Sequence, residues 1–256
     1  MTETFVTYSV LAVYSAMAVY TLAFILFTLD LARRSAASQA VPQLVAASAS
    51  AKGGAAVLER TDAPAPTKTP RYLRAAMALT IIAWALHVSA AVLRGLAAGR
   101  VPWANMFEFT LTATAIIVTV FLAVQFWQDL RFLGVFITGF ALIALGVATV
   151  NFYVDVIPLP PALQSVWLVI HVFVASLGTG FFALGAGVSV VQLMKERRLA
   201  GKAQRLNFLD TVPAPEKLEN TAYRLIVVGF VLWTFTLIAG AIWAGRAWGR
   251  YWGWDT

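Results

Sequence analysis

Cysteine is absent from the 256 residues, which removes disulfides, thiolate metal ligands and thiol redox chemistry. Charge is scarce as well: 12% of the residues are Asp, Glu, Lys or Arg, against 60% hydrophobic. That balance excludes an ordinary water-soluble domain, which has nowhere to put so much apolar surface. Histidine occurs only twice, at His87 and His171. A formal net charge of +7 does not point to nucleic acid, because the basic residues lie between long apolar runs, not on one amphipathic face. No nucleotide-binding or catalytic motif occurs in the polar loops.

What is there is a set of hydrophobic runs. Crossing a bilayer core roughly 30 Å thick takes about 20 apolar residues. Six segments reach that length: 8–31, 73–93, 107–126, 132–152, 166–194 and 225–243. The first lacks a basic leader and is followed by Arg33 and Arg34, so it reads as an anchored span and not a signal peptide. Lys and Arg divide 15 to 4 between alternate loops: seven in 33–74, Arg131, and seven in 195–224, against Arg94, Arg100, Arg246 and Arg250. Positive loops stay inside. The fold class is therefore all-α, a polytopic integral membrane protein of six transmembrane helices with both termini outside. Its parts are a first transmembrane helix (1–32), a flexible cytoplasmic linker (33–71), a five-helix membrane core (72–244) with a cytoplasmic loop at 195–224, and an external tryptophan-rich segment (245–256). The linker is assigned as flexible because Ala, Ser, Pro, Gly and Thr without aromatics bury too little area to offset chain entropy.

Polar groups inside the bilayer are costly and need a partner or a purpose. On this topology His87 and His171 lie at matched depth, roughly 9 Å below the outer boundary. A packing histidine bonded to a neighbouring helix is the plain reading of either alone. Two at one depth favour ligand chemistry, since neutral imidazole is a common nitrogen donor to metals and haem iron. From Trp243 to Trp254 come four tryptophans, Tyr251, Arg246 and Arg250. An interfacial aromatic belt accounts for Trp243. The remaining density of rings, interleaved with Gly and Arg, suits a platform for a planar ligand with acidic groups, such as a porphyrin with its propionates. Before the third span, Asn105 and Glu108 have the spacing of an N-cap and its N3 carboxylate. In the fifth span, Gly178 with Gly185 and Gly180 with Gly187 are seven apart, which places them for close helix packing.

Trp248-Gly-x-x-Trp252-x-Trp254-Asp255 resembles the tryptophan-rich signature of the haem-handling proteins of cytochrome c biogenesis, in the CcsA/ResC branch of System II. Pro102 with Asn105 and Glu108 looks like the loop before that branch's third span, and Trp167-Leu-Val-Ile-His171 looks like its external-histidine helix. The resemblance implies that His87 ligates haem iron within the membrane and His171 ligates it externally. Trp248, Trp252, Trp254 and Asp255 would then form the platform. It implies haem b as cofactor, delivery to an apocytochrome c, a CcsB/ResB-like membrane partner, and at most a subunit role in a haem–cytochrome c ligation complex. The expected location is the plasma (inner) membrane of a bacterium rather than a thylakoid. Members of the branch continue beyond the Trp-Asp motif with two further spans, so the resemblance also implies a chain shortened at its C-terminus. Two other readings stand beside this one: a haem or amphiphile exporter component without an apocytochrome partner, and a non-catalytic membrane scaffold.

Overall fold

A computed structural model describes residues 2–51, 71–156, 165–202 and 206–253. Among these residues are six α-helices: α1 (Thr2–Ala51), α2 (Arg71–Ala98), α3 (Met106–Val124), α4 (Gly134–Asn151), α5 (Val166–Leu199) and α6 (Pro215–Trp248). Short 3-10 turns occur at Arg131–Leu133 and Asn207–Thr211, and no strand occurs among the described residues. Each helix contributes a span long and apolar enough to cross a bilayer. The all-α, six-span expectation holds, and the chain is a multi-pass membrane protein. Helices are the required solution because hydrocarbon offers no partners for backbone N–H and C=O groups. Even the span threonines turn inward on their own helices: Thr21, Thr28 and Thr119 donate to the carbonyls of Met17, Phe24 and Ala115.

Helices α1 and α2 form an antiparallel pair with a seven-residue repeat. The buried positions of α1 are Ser9, Val13, Ala16, Tyr20, Ala23, Phe27 and Asp30, and those of α2 are Leu73, Ala76, Thr80, Ala83, His87, Ala90 and Arg94. Steps of three and four residues keep one stripe facing the partner. Alanine at Ala16, Ala23, Ala76, Ala83 and Ala90 lets the backbones approach, close enough for the Ser9 hydroxyl to donate to the Ala90 carbonyl at 2.8 Å. Helix α3 lies between α2, α4 and α5, while α6 packs chiefly on α5. Of the α5 glycines expected to allow close helix packing, one pair faces α6. A Cβ on Gly178 would stand 3.4 Å from the Gly229 carbonyl oxygen, and one on Gly185 would stand 2.7 Å from the Ile226 side chain. The other pair faces elsewhere, with Gly180 against Val120 and Gly187 against Leu133.

Two boundaries differ from the sequence reading. Helix α1 continues to Ala51, well past Arg33 where the linker was expected to begin. The segment is rich in alanine, the strongest helix former, and an established helix extends through such a stretch without a new nucleus. Residues 52–70 of the expected linker lie outside the described residues. At the other end α6 runs on to Trp248, so 245–248 form its last turn and not a separate segment. Gly249, at φ 70°, ends the helix in the left-handed conformation that glycine adopts without strain.

Candidate functional site

The starts of α1, α3 and α5 and the ends of α2, α4 and α6 share one end of the bundle, called here the tryptophan end. Three features gather there.

The first is a buried ion cluster. Asn105 caps α3 by accepting the Glu108 N–H at 2.9 Å, as its spacing predicted. The Glu108 carboxylate, with no exposed surface, does more than complete a cap. It accepts from Ala104 N at 3.1 Å, from Arg100 Nη1 at 2.7 Å and from Arg94 Nε at 3.2 Å. Arg94 also donates to the Val154 carbonyl, and the rings of Phe107 and Tyr153 flank its guanidinium at 5.3 and 5.6 Å. The sequence reading placed Arg94 among the loop charges. In the structure it closes the α1–α2 seam, fully buried. Nothing in local spacing links Arg94 to a carboxylate fourteen residues away, so the pairing was not legible.

The second is His87, also fully buried. A carbonyl oxygen only accepts, so His87 Nε2 carries the proton it donates to Leu111 O at 2.9 Å. Nδ1 then accepts from the Tyr20 hydroxyl, 3.4 Å away. Both nitrogens are engaged, which leaves no lone pair for iron in this arrangement.

The third is the α5–α6 corner. His171 Nδ1 donates to the Thr236 carbonyl of α6 at 3.0 Å. Nε2 takes no hydrogen bond among the described residues, and the ring is only partly buried. Trp167 lies one turn before His171, and Arg246 of α6 stands 5.9 Å over its ring. Thr236, Gly240 and Trp243 follow at helical spacing on the facing side of α6. Trp243 packs edge-on to Trp248 at 4.7 Å, and its buried indole N–H has no acceptor among the described residues. Beyond the helix Tyr251 and Trp252 are exposed, bordering a pocket of about 160 Å³ with Trp248 and Arg250. That volume is below the roughly 300–1,000 Å³ of enclosed ligand pockets. A porphyrin held here would rest on a face, not inside a cavity. Trp254 and Asp255 lie outside the described residues.

The donor set at this corner fits an iron porphyrin. It offers one imidazole nitrogen and one indole N–H that have no hydrogen-bond partner among the described residues, a guanidinium, and indole faces. Two of the expected site residues, His171 and Trp248, are brought to the corner, and Trp252 lies beside it. His87 is not part of it. A separate apolar groove of about 940 Å³ runs between α2, α3 and α5, lined by residues including Trp84, Trp103, Thr112 and Phe173, and neither histidine lines it.

Fold and corner together define a helical membrane protein with an imidazole and a cluster of indoles at one end of its bundle. The family of cytochrome c assembly proteins matches this chain over residues 103–256, and the chain belongs to that family. Within it the chain falls in the CcsA branch. It is 30% identical over 191 residues to the cytochrome c biogenesis protein CcsA of Trieres chinensis, covering 63% of this chain and 61% of the relative. It is 30% identical over 220 residues to CcsA of Synechococcus sp. (strain JA-2-3B'a(2-13)), covering 63% of each. Identity to CcsA of Prochlorococcus marinus is 35% over 119 residues, 38% of each chain. The chain thus spans about three fifths of the length of the first two relatives.

Proposed function

We propose that this chain serves cytochrome c biogenesis by holding haem at the outer face of the membrane and presenting it to an apocytochrome c. The observation that carries the reading is the α5–α6 corner. His171 keeps one nitrogen proton on the Thr236 carbonyl and leaves Nε2 free, the arrangement in which second-shell bonding fixes a metal-ligating histidine. Trp243 offers an N–H unpaired among the described residues, Arg246 a cation beside Trp167, and Trp248 and Trp252 apolar ring faces, which suits a flat ligand with acidic edges. Haem b is the group proposed, with Trp254 and Asp255 completing the platform. When bound, haem supplies the vinyl groups to which the two thiols of a CxxCH apocytochrome add. This chain's own residues bind and orient the ligand, and the reacting thiols are the cytochrome's.

His87 enters this proposal only through a second arrangement of the bundle. Iron ligation there requires the Tyr20 hydroxyl and the Leu111 carbonyl to be given up. A CcsB/ResB-like membrane protein is the proposed partner, and a bacterial plasma membrane the proposed location, with the tryptophan end outside; the gathering of most Lys and Arg in the loops at the other end supports that orientation.

The test is twofold. Protein purified from haem-replete cells should carry a Soret band, and a tag or protease site introduced after Trp252 should be reached from outside intact cells. Colourless protein, or access to Trp252 only from the cytosol, contradicts the proposal.

A further inference from the structure

His171 needs a reason to present Nε2 rather than Nδ1, and α6 supplies one. Its Nδ1 lies 3.0 Å from the Thr236 carbonyl oxygen, an atom that can only accept. The Nδ1 proton is thereby fixed, and the lone pair is left on Nε2. The ring reaches that carbonyl only because the next turn of α6 carries no side chain. A Cβ at Gly240 would stand 2.6 Å from His171 Cε1 and 3.0 Å from Nδ1, closer than side-chain carbons approach such atoms. Gly240 is not required by the helix itself: it lies inside α6 and is not among the glycines with positive φ. Inside a helix glycine is a poorer choice than alanine, so its place here is explained by the ring packed on it.

We propose that Gly240 and the Thr236 carbonyl form a positioning shelf that sets the tautomer and plane of His171, and so determines which nitrogen is offered to iron. Gly240 acts through His171 and touches no ligand itself. The inference rests on the proposed haem role for its purpose, but the shelf is a property of the haem-free chain.

The experiment uses the full chain in detergent or nanodiscs, labelled with 15N at histidine. With only two histidines the spectrum is assigned by the loss of one set of signals in His171→Gln. In the haem-free wild type, His171 should show a protonated Nδ1 and an unprotonated Nε2. Gly240→Ala should shift or mix that pattern while leaving the His87 signals in place. Its thermal unfolding should be unchanged or raised, because an imidazole at the end of a side chain can swing aside and alanine favours the helix. Haemin affinity should fall about 10- to 100-fold, the usual effect of losing an outer-shell partner. Gly146→Ala, whose new carbon meets nothing nearer than Met17 Cε at 3.8 Å, should change none of these readouts. A wild-type His171 with its proton on Nε2 overturns the shelf, even if Gly240→Ala fails to fold. So does a Gly240→Ala protein with unchanged His171 signals. If the signals move but haemin affinity is unaffected by either Gly240→Ala or His171→Gln, the shelf stands and the haem role of His171 falls.

Discussion

His87 and His171 stand at about the same level of the bundle, yet their surroundings are opposite. Gly180 of α5 lies beside Ile117 and Val120 of α3. Nine residues nearer the tryptophan end on α5 is His171, and a similar distance back along α3 is Leu111, which His87 meets. His87 sits in a heptad seam, fully buried, with both nitrogens bonded and the Arg94–Glu108–Arg100 cluster closing the seam above it. His171 sits in a partly exposed corner with one nitrogen bonded and, among the described residues, the other without a partner. Depth in the membrane alone therefore does not make a histidine a ligand. What separates the two is how many ring nitrogens the neighbouring helices consume.

That contrast can be broken from the closed side. Glu108→Ala removes the only carboxylate paired with the buried Arg94 guanidinium among the described residues. Leaving such a charge uncompensated costs about 3–5 kcal/mol. Thermal unfolding in detergent should register this loss, while the haemin affinity of whatever protein remains folded stays at the wild-type value. Tyr20→Phe is a smaller probe of the same seam. It withdraws the donor to His87 Nδ1 and leaves a buried acceptor unsatisfied, for a loss of about 1–3 kcal/mol. A Tyr20→Phe protein with unchanged stability would mean that the seam does not depend on that hydrogen bond.

The smallest effect lies at the far end of the bundle, where neither histidine is involved. A hydrogen bond from Arg131 holds the Asp129 carboxyl below the usual carboxylate range. The folded-state value lies below the unfolded one, so the contribution to stability is complete above about pH 3.9 and fades as pH falls through the depressed value. The pair is largely exposed, and its contribution is under about 1 kcal/mol. Asp129→Asn should flatten the acid limb of the stability profile slightly and leave haemin binding unchanged at every pH.

Much of the fold is legible in the sequence because hydropathy and length report directly on bilayer crossing. The Asn105 cap is legible from spacing, as are the packing glycines of α5. The α1–α2 seam is not. In lipid the exposed and buried faces of a helix are equally apolar, so Leu22 and Ile25 on the outside look like Val13 and Phe27 on the inside. The seven-residue repeat is therefore masked by its background. Arg94 was misplaced for a related reason: a basic residue near a helix end reads as a loop charge, and only the fold brings Glu108 to it. The corner was half legible. His171 and the tryptophans carry chemistry that composition reveals, but Thr236 contributes through its carbonyl and Gly240 through a missing side chain. Neither leaves a signal in residue type.

His171 is proposed as the imidazole offered to iron, whereas His87 has both ring nitrogens bonded in this arrangement. Matched variants His87→Gln and His171→Gln, titrated with haemin and followed by the Soret band, test it directly. His87→Gln should retain near wild-type affinity and band position, while His171→Gln should lose at least about tenfold in affinity and shift the band. Loss of the band in His87→Gln with an unaltered His171→Gln would contradict it.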